Sequence, residues 1–367
     1  MRVGVLTTSY PRDADDAAGA FVAGFSRWLA EHVGDVDVVC ADEARPLFYR
    51  GGAPEALKQG RWGEAASFSA SLLMEARRRA RGWDAVVSHW LVPSGAVADA
   101  CGPARHLAIA HGSDVRLLSS LPGGRALVRR LARRADLVYV ADALRVDGAP
   151  GRVVPMAIDV APIARATTAA ARAAARARLV PDAGDGFVIA FLGRLIHDKG
   201  ADRAIDELPE GATLLVGGDG PERTALEERA RASLVRCAAG RRVQFLGHVA
   251  GADKLALLAA ADALVIPSRV DGAPTVALEA LAAGLPIVAT RAGGLPEVLD
   301  ESIAILCDDE RAIGRALARL RDDVELRTTM SRACRARSSR HDWSHVAPTL
   351  WNRSVRQIPG CLRTIRV

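Results

Sequence analysis

The sequence predicts an α/β protein built as two doubly wound parallel-sheet domains that face each other across a cleft. Its 367 residues exceed what one hydrophobic core usually organises, so two domains of comparable size are expected. Half the residues are hydrophobic and a quarter are charged, a balance that places the chain among globular proteins able to bury substantial cores. Short runs rich in Val, Ile and Leu alternate with longer helical patterns almost from end to end. Parallel sheets covered on both faces read this way in sequence.

Strands are expected in the first half at Arg2–Leu6, Val36–Cys40, Ala85–Val87, His106–Ala110 and Leu137–Val140. The second half offers Phe187–Leu192, Thr213–Val216, Val243–Leu246, Ala263–Ile266 and Ile287–Ala289. Phe21, Phe25, Trp28 and Leu29 recur at helical spacing, which predicts a first helix whose aromatic face packs into the core. Between the two sets of strands lie Val153-Val154-Pro155, Asp159 and the stretch Ala164–Arg178. That stretch is rich in Ala and Arg, a strong helix former with too few large apolar side chains to nucleate a core. It is expected to open the second domain on its surface, with the domains spanning residues 1–157 and 158–340.

Composition narrows the classes of function. No apolar run approaches the roughly 18 to 20 residues of a spanning helix, and the start lacks a basic region followed by a signal core, so a cytoplasmic protein is expected. Six scattered cysteines form no C-x-x-C pair, which suggests neither a zinc site nor a disulfide framework. The net charge of +6 comes from clusters such as Arg77–Arg81 and Arg129–Arg134. These read as solvated helix faces, with peripheral contact at an anionic inner membrane face as the alternative. Aromatic residues do not interleave with them, which argues against a nucleic-acid partner.

In doubly wound sheets ligands sit beyond the carboxyl ends of the strands, so those loops carry the chemistry. The strand Phe187–Leu192 runs into Gly193-Arg194-Leu195-Ile196-His197-Asp198-Lys199-Gly200, with two cations in one loop. A planar guanidinium and a point-charge ammonium together suit a diphosphate leaving group. Lysine occurs only at Lys58, Lys199 and Lys254, so its use here in an arginine-rich chain hints at a specific need. The next strand ends in Gly217-Gly218-Asp219-Gly220-Pro221-Glu222, a turn with proline at the first helical position. No G-x-G-x-x-G occurs here or after the first strand, which argues against a nicotinamide-dependent oxidoreductase. In Pro267–Ala280, Asp271 sits in the loop and Glu279 lies eight residues on, a turn into a helix beginning near Thr275. Loop amides and that helix N-terminus can hold phosphate and sugar oxygens, leaving the acids to accept hydrogen bonds from hydroxyls.

Five segments in order, GRLIHDKG, GGDGPE, FLGHV, PSRVDGAPTVALEALAAGLPIVAT and GGLPEV, cover nearly all of residues 187–298. Together they resemble glycosyltransferase family 4, the retaining glycosyltransferases of GT-B fold. The resemblance implies two Rossmann-like domains, an acceptor-binding first and a donor-binding second, with residues 341–367 crossing back to the first. It implies diphosphate binding by Arg194 and Lys199, and sugar and ribose binding by the E-x(7)-E pair, here Asp271 and Glu279. Gly193 and Gly218, the stretch Gly272, Ala273, Pro274, Thr275 and Val276, and Val249 with Lys254 near the base are implied on the donor side. Two departures touch the sugar: Asp271 stands where glutamate is usual, and Ala273 where an aromatic is common. The Asn-Gly that follows the interdomain Val-Val-Pro in the family is replaced by Met156-Ala157.

The first domain matches more loosely. His111-Gly112-Ser113-Asp114 is similar to the family's H-G-x-D, which implies His111 beside the transferred sugar. Gly19 resembles the family's glycine-rich loop, with Ala18 in place of its paired glycine. Tyr10, Arg12, His89, Trp90 and Asp114 are assigned to the acceptor side. The resemblance implies a nucleotide-diphosphate sugar as co-substrate, an acceptor the sequence does not identify, and no metal. Asp13-Ala14-Asp15 and Asp35-Val36-Asp37 match a metal-binding D-x-D by coincidence in an early loop and at a strand start. The rival readings are a sugar-nucleotide 2-epimerase and a non-catalytic, donor-binding accessory subunit of a glycosylation complex.

Overall fold

The computed structural model describes residues 1–13, 16, 18–40, 60–103, 105–184, 186–236, 240–272 and 274–355. The first sheet holds β1 (Arg2–Thr7), β2 (Asp35–Cys40), β3 (Ala85–His89), β4 (His106–Ala110), β5 (Asp136–Tyr139) and β6 (Arg152–Val153), in the order β2-β1-β3-β4-β5-β6. The second holds β7 (Val188–Leu192), β8 (Thr213–Gly217), β9 (Arg242–Gly247), β10 (Ala263–Ile266), β11 (Ile287–Thr290) and β12 (Ala304–Cys307), in the order β12-β11-β10-β7-β8-β9. Every pairing is parallel. Each order reverses beside its first strand, between β1 and β3 and between β7 and β10. A doubly wound sheet opens its ligand crevice there. All ten expected strands fall on observed ones, and β6 and β12 are additions: β6 is only two residues long, whereas β12 lies in the apolar run at residues 303–307 that sequence reasoning passed over.

Continuous apolar runs follow from burial on both faces of each sheet. Val188 and Ala190 point into a core shared with the hinge, while Ile189 and Phe191 point into a second core on the far face. The first sheet repeats this, with Val87 in the shared core and Val86 beneath Leu72 and Val97. Side chains alternate faces with a period of two, so a strand covered on both sides is apolar at most positions.

The Ala- and Arg-rich region forms helices Val160–Ala166 and Ala169–Leu179. Lacking bulk, the second helix is tied down by its arginines at the end of helix Gly251–Ala260. Arg172 donates to the Ala261 carbonyl at 2.5 Å and to Asp262 at 2.5 Å, and Arg176 reaches Asp262 at 3.2 Å. Cations placed there offset the negative end of that helix.

The chain passes between domains at Ile158, whose N–H donates to the His341 carbonyl (2.9 Å) and whose carbonyl accepts from Trp343 N (3.3 Å). Asp342 Oδ2 accepts from Val160 N at 3.0 Å. Helix Trp343–Val355 then lies against helix Ala20–His32 of the first domain, with Trp343 stacked on Phe25 at 5.3 Å between ring centroids. Gly24 permits the approach, because a Cβ there would lie 2.2 Å from the indole nitrogen of Trp343. The last residues assigned to this segment, 356–367, lie outside the described residues. Among the described residues no helix is long and apolar enough to cross a membrane.

Trp343 is 3% exposed. Trp343→Ala is expected to cost about 3–5 kcal/mol, as large aromatic truncations in packed cores do. Urea unfolding followed by far-UV circular dichroism reads this directly. An unchanged midpoint means that the returning helix contributes nothing to the fold.

Candidate active site

At the ends of β7, β8 and β9, the loops are knit by their own backbones. Gly193 N donates to the Gly217 carbonyl (3.0 Å), Gly218 N to the Gly247 carbonyl (2.7 Å) and Leu195 N to the Asp219 carbonyl (2.9 Å). Gly218, at φ +144°, is required: a Cβ would stand 1.8 Å from the Gly193 carbonyl oxygen. These loops form one wall of a cleft of about 570 Å³. Gly193, Arg194, Lys199, Gly218, Val249 and Lys254 all line it. Pro274, Thr275, Val276 and Glu279 extend that wall at the start of helix Thr275–Ala283. Ile158, Asp159, Pro162 and Ile163 at the hinge, and Asp16, Ala20 and Phe21 from the first domain, complete the enclosure.

The two acids of the strongest motif are each held by a lysine. Lys199 Nζ donates to Asp271 Oδ2 at 2.7 Å, and Lys254 Nζ to Glu279 Oε1 at 2.7 Å. Asp271 Oδ2 also accepts from Ser268 Oγ (3.0 Å), and Oδ1 from Gly272 N (2.9 Å). Of the Asp271 and Glu279 side chains 7% and 12% are exposed, so each pair is partly desolvated. Arg194 is exposed and has no partner among the described residues. Beneath Asp271 the turn after β11 packs so closely that a Cβ on Gly293, at φ +55°, would lie 1.7 Å from its carbonyl oxygen. Ala273, expected among the sugar contacts, lies outside the described residues.

From the first domain, the His111–Gly112 turn meets this loop: a Cβ on Gly272 would be 3.0 Å from the His111 carbonyl oxygen. The His111 ring is half-buried against Phe21 (5.0 Å between centroids) and Trp90 (4.8 Å), and its Nε2 lies 3.1 Å from His89 Nδ1. Burial and the neighbouring His89 push its pKa well below the ordinary histidine value, so the ring is neutral. Gly19, in the left-handed region, opens the first helix beside the cleft, where a Cβ would lie 2.2 Å from the Ser9 carbonyl oxygen. Arg12 Nε reaches Asp16 Oδ2 at 3.2 Å beside the cleft that Asp16 lines, and Tyr10 is half-buried nearby.

Three expectations are corrected by this geometry. Asp114 makes no acceptor contact: it is fully buried and its oxygens accept from Leu91 N (2.7 Å), Gly112 N (2.8 Å) and His111 N (3.2 Å). It therefore holds the His111 turn, while burial raises its own pKa. His89 is likewise fully buried and does not line the cleft; it lies behind His111 and the cleft residue Phe21. Phe21, expected in the core, packs at the core's edge and also lines the cleft. Of the two D-x-D sequences, the first has Ala14 and Asp15 outside the described residues. In the second, Asp37 is occupied by Trp83 Nε1 at 2.9 Å, Arg79 at 3.0 Å and Arg2 at 3.2 Å.

Comparison with known proteins agrees with this architecture. A sequence profile described as "Glycosyl transferases group 1" matches residues 186–323. The D-inositol 3-phosphate glycosyltransferase of Salinispora arenicola is 31% identical over 336 residues, covering 78% of this chain and 72% of the relative. The chain belongs to the group 1 glycosyltransferases. The glycogen synthase of Mycobacterium tuberculosis is 36% identical over 167 residues, a match of 43% of this chain and only 39% of that relative's length. Anabaena HepE, solved in complex with UDP, superposes with a TM-score of 0.71 at 18% identity, covering 98% of this chain and 100% of that one. The fold is GT-B.

In this glycosyltransferase, sequence reasoning passed over Asp16, Phe21, Asp219 and His248, which all line the cleft. His248 had a signal, since it directly precedes Val249 in the FLGHV segment. Phe21 did not, because its helical spacing is that of a core residue.

Lys254→Met is expected to destabilise the fold by about 1–3 kcal/mol, because it strands a partly buried carboxylate. Adding Glu279→Gln removes that charge and should restore most of the loss. A double-mutant cycle in urea measures the coupling; additive losses would show that the pair does not interact.

Proposed function

We propose that this chain is a retaining glycosyltransferase of family 4, moving a hexose-type sugar from a nucleotide-diphosphate sugar to an acceptor hydroxyl. The Arg194 guanidinium, unpaired among the described residues, carries the proposal. It stands in the interdomain cleft beside Lys199 and the N-terminus of helix Thr275–Ala283, a local excess of positive charge suited to a diphosphate. Lys199 can hold Asp271 and still serve a phosphate, because an ammonium has three donors. Glu279 Oε2 has no partner among the described residues and suits a ribose diol. On Asp271, Oδ1 retains an acceptor site beyond the Gly272 amide, which suits a sugar hydroxyl.

In the proposed reaction the bond between the anomeric carbon and the diphosphate breaks, giving an oxocarbenium-like centre. The acceptor oxygen bonds to that carbon from the same face, and its proton passes to the departing phosphate. No protein base is then required, and Arg194, Lys199 and the helix N-terminus offset the developing charge without a metal. Glycan, glycolipid or glycosylated-metabolite biosynthesis fits such a product.

Thermal shift with UDP-, GDP- and ADP-sugars identifies the donor, since a ligand bound to the native state raises its stability. With that donor and an acceptor, the product should keep the donor's anomeric configuration by NMR, and EDTA should leave the rate unchanged. Conversion of the free nucleotide sugar without acceptor would instead mark an epimerase. Arg194→Ala and Lys199→Ala are each expected to lower turnover about 100-fold or more. Near-normal turnover in either overturns the phosphate cradle. Asp271→Glu should reorder the preferred donor sugars while leaving free-diphosphate affinity nearly unchanged, as titration calorimetry reads.

A further inference from the structure

His89 is 0% exposed, and its Nε2 is buried with no hydrogen-bond partner among the described residues. Its Nδ1 lies 3.1 Å from His111 Nε2, with the two rings stacked 19° from parallel. The rings around the pair, Phe21, Phe25 and Trp90, carry no charge that could hold an extra proton. Burial lowers the His89 pKa to about 3 and holds His111 well below the ordinary value, so both imidazoles are neutral. A single proton therefore lies between the facing nitrogens, and it has two homes.

Were the proton on His111 Nε2, His89 would carry its own proton on Nε2, leaving an N–H buried without an acceptor. The Phe25 ring does not rescue it, since the centroids are 6.2 Å apart, too far for an N–H to reach the π face. With the proton on His89 Nδ1, only a bare lone pair is left at His89 Nε2. Orphaned buried N–H groups are the rarer of the two defects in folded proteins. His111 then accepts at Nε2 and carries its proton on Nδ1, a nitrogen that no described residue bonds.

We propose that His89 is a positioning residue that fixes His111 as the Nδ1–H tautomer, so that His111 meets the substrate as a neutral hydrogen-bond donor. The oxygen it serves belongs to the transferred sugar or to the acceptor that attacks it, on the reading of the cleft given above. His111 acts on that oxygen without proton transfer, and it is not the base of the reaction. A histidine free of such a partner favours the opposite tautomer, which makes the arrangement diagnostic.

The test uses the full chain with 15N-labelled histidine, in long-range 1H–15N spectra, the His111 signals being identified by their loss in His111→Gln. Wild type should show His111 protonated at Nδ1. His89→Leu should shift His111 towards Nε2–H and lower kcat on the order of 10-fold, the usual scale for losing a partner that orients a functional histidine. KM for the nucleotide sugar should change little. His89→Asn, whose amide can place a donor near the position of Nδ1, should recover both the tautomer and most of the rate. A wild-type spectrum with His111 protonated at Nε2 overturns the proposal, as does an unchanged His111 tautomer in folded His89→Leu. The spectra read the tautomer without any turnover, so an error in the proposed reaction cannot be mistaken for an error here.

Discussion

A carboxylate with 7% of its side chain exposed, like that of Asp271, has lost most of its water, and burying it costs free energy unless charge and hydrogen bonds take the place of that water. Lys199 supplies the charge, and Ser268 and the Gly272 amide supply the bonds. Lys254 does the same for Glu279. The loop after β7 is thereby tied to the loop after β10, and helix Gly251–Ala260 to helix Thr275–Ala283, by two ion pairs along the cleft wall. Removing a single partner leaves a stranded charge, so the two positions of each pair are expected to be coupled rather than independent. Lysine suits the task because its compact ammonium can satisfy a carboxylate and keep donors for a ligand, whereas a planar guanidinium occupies more space at the same point.

The site is also a joint between domains. The Gly272 backbone packs against the His111 turn, and Glu297, on helix Leu295–Val298, accepts from the backbone N–H groups of Asp142 (2.5 Å) and Ala143 (2.8 Å) in the first domain. On the other side of the crossing, Arg27 of the first helix meets Asp159 at 2.5 Å. The cleft is therefore framed by contacts that both halves of the chain supply. Asp114 and His89 contribute from behind: one fixes the backbone of the His111 turn, the other its ring. Neither lines the cleft, yet each bears on His111, which packs against the cleft residue Phe21.

By itself the sequence determined the two-sheet architecture, the strands that bear on the cleft and the donor-side loops. Their information is local: continuous apolar runs mark β7 and β8, and Gly193 and Gly218 mark the turns that follow them. The edge strand β6 escaped because two residues leave too little pattern to read, whereas β12 was legible in the apolar run at residues 303–307 and was passed over. Tertiary structure alone decided which lysine serves which acid, since Lys199 and Asp271 are 72 residues apart and meet only because β7 and β10 are neighbours in the sheet. It also decided that Asp114 and His89 are buried and that Phe21, at the edge of the core, lines the cleft. Their residue types fit either fate, and only the packing of the opposite domain and the returning helix fixed which faces remained open to the cleft.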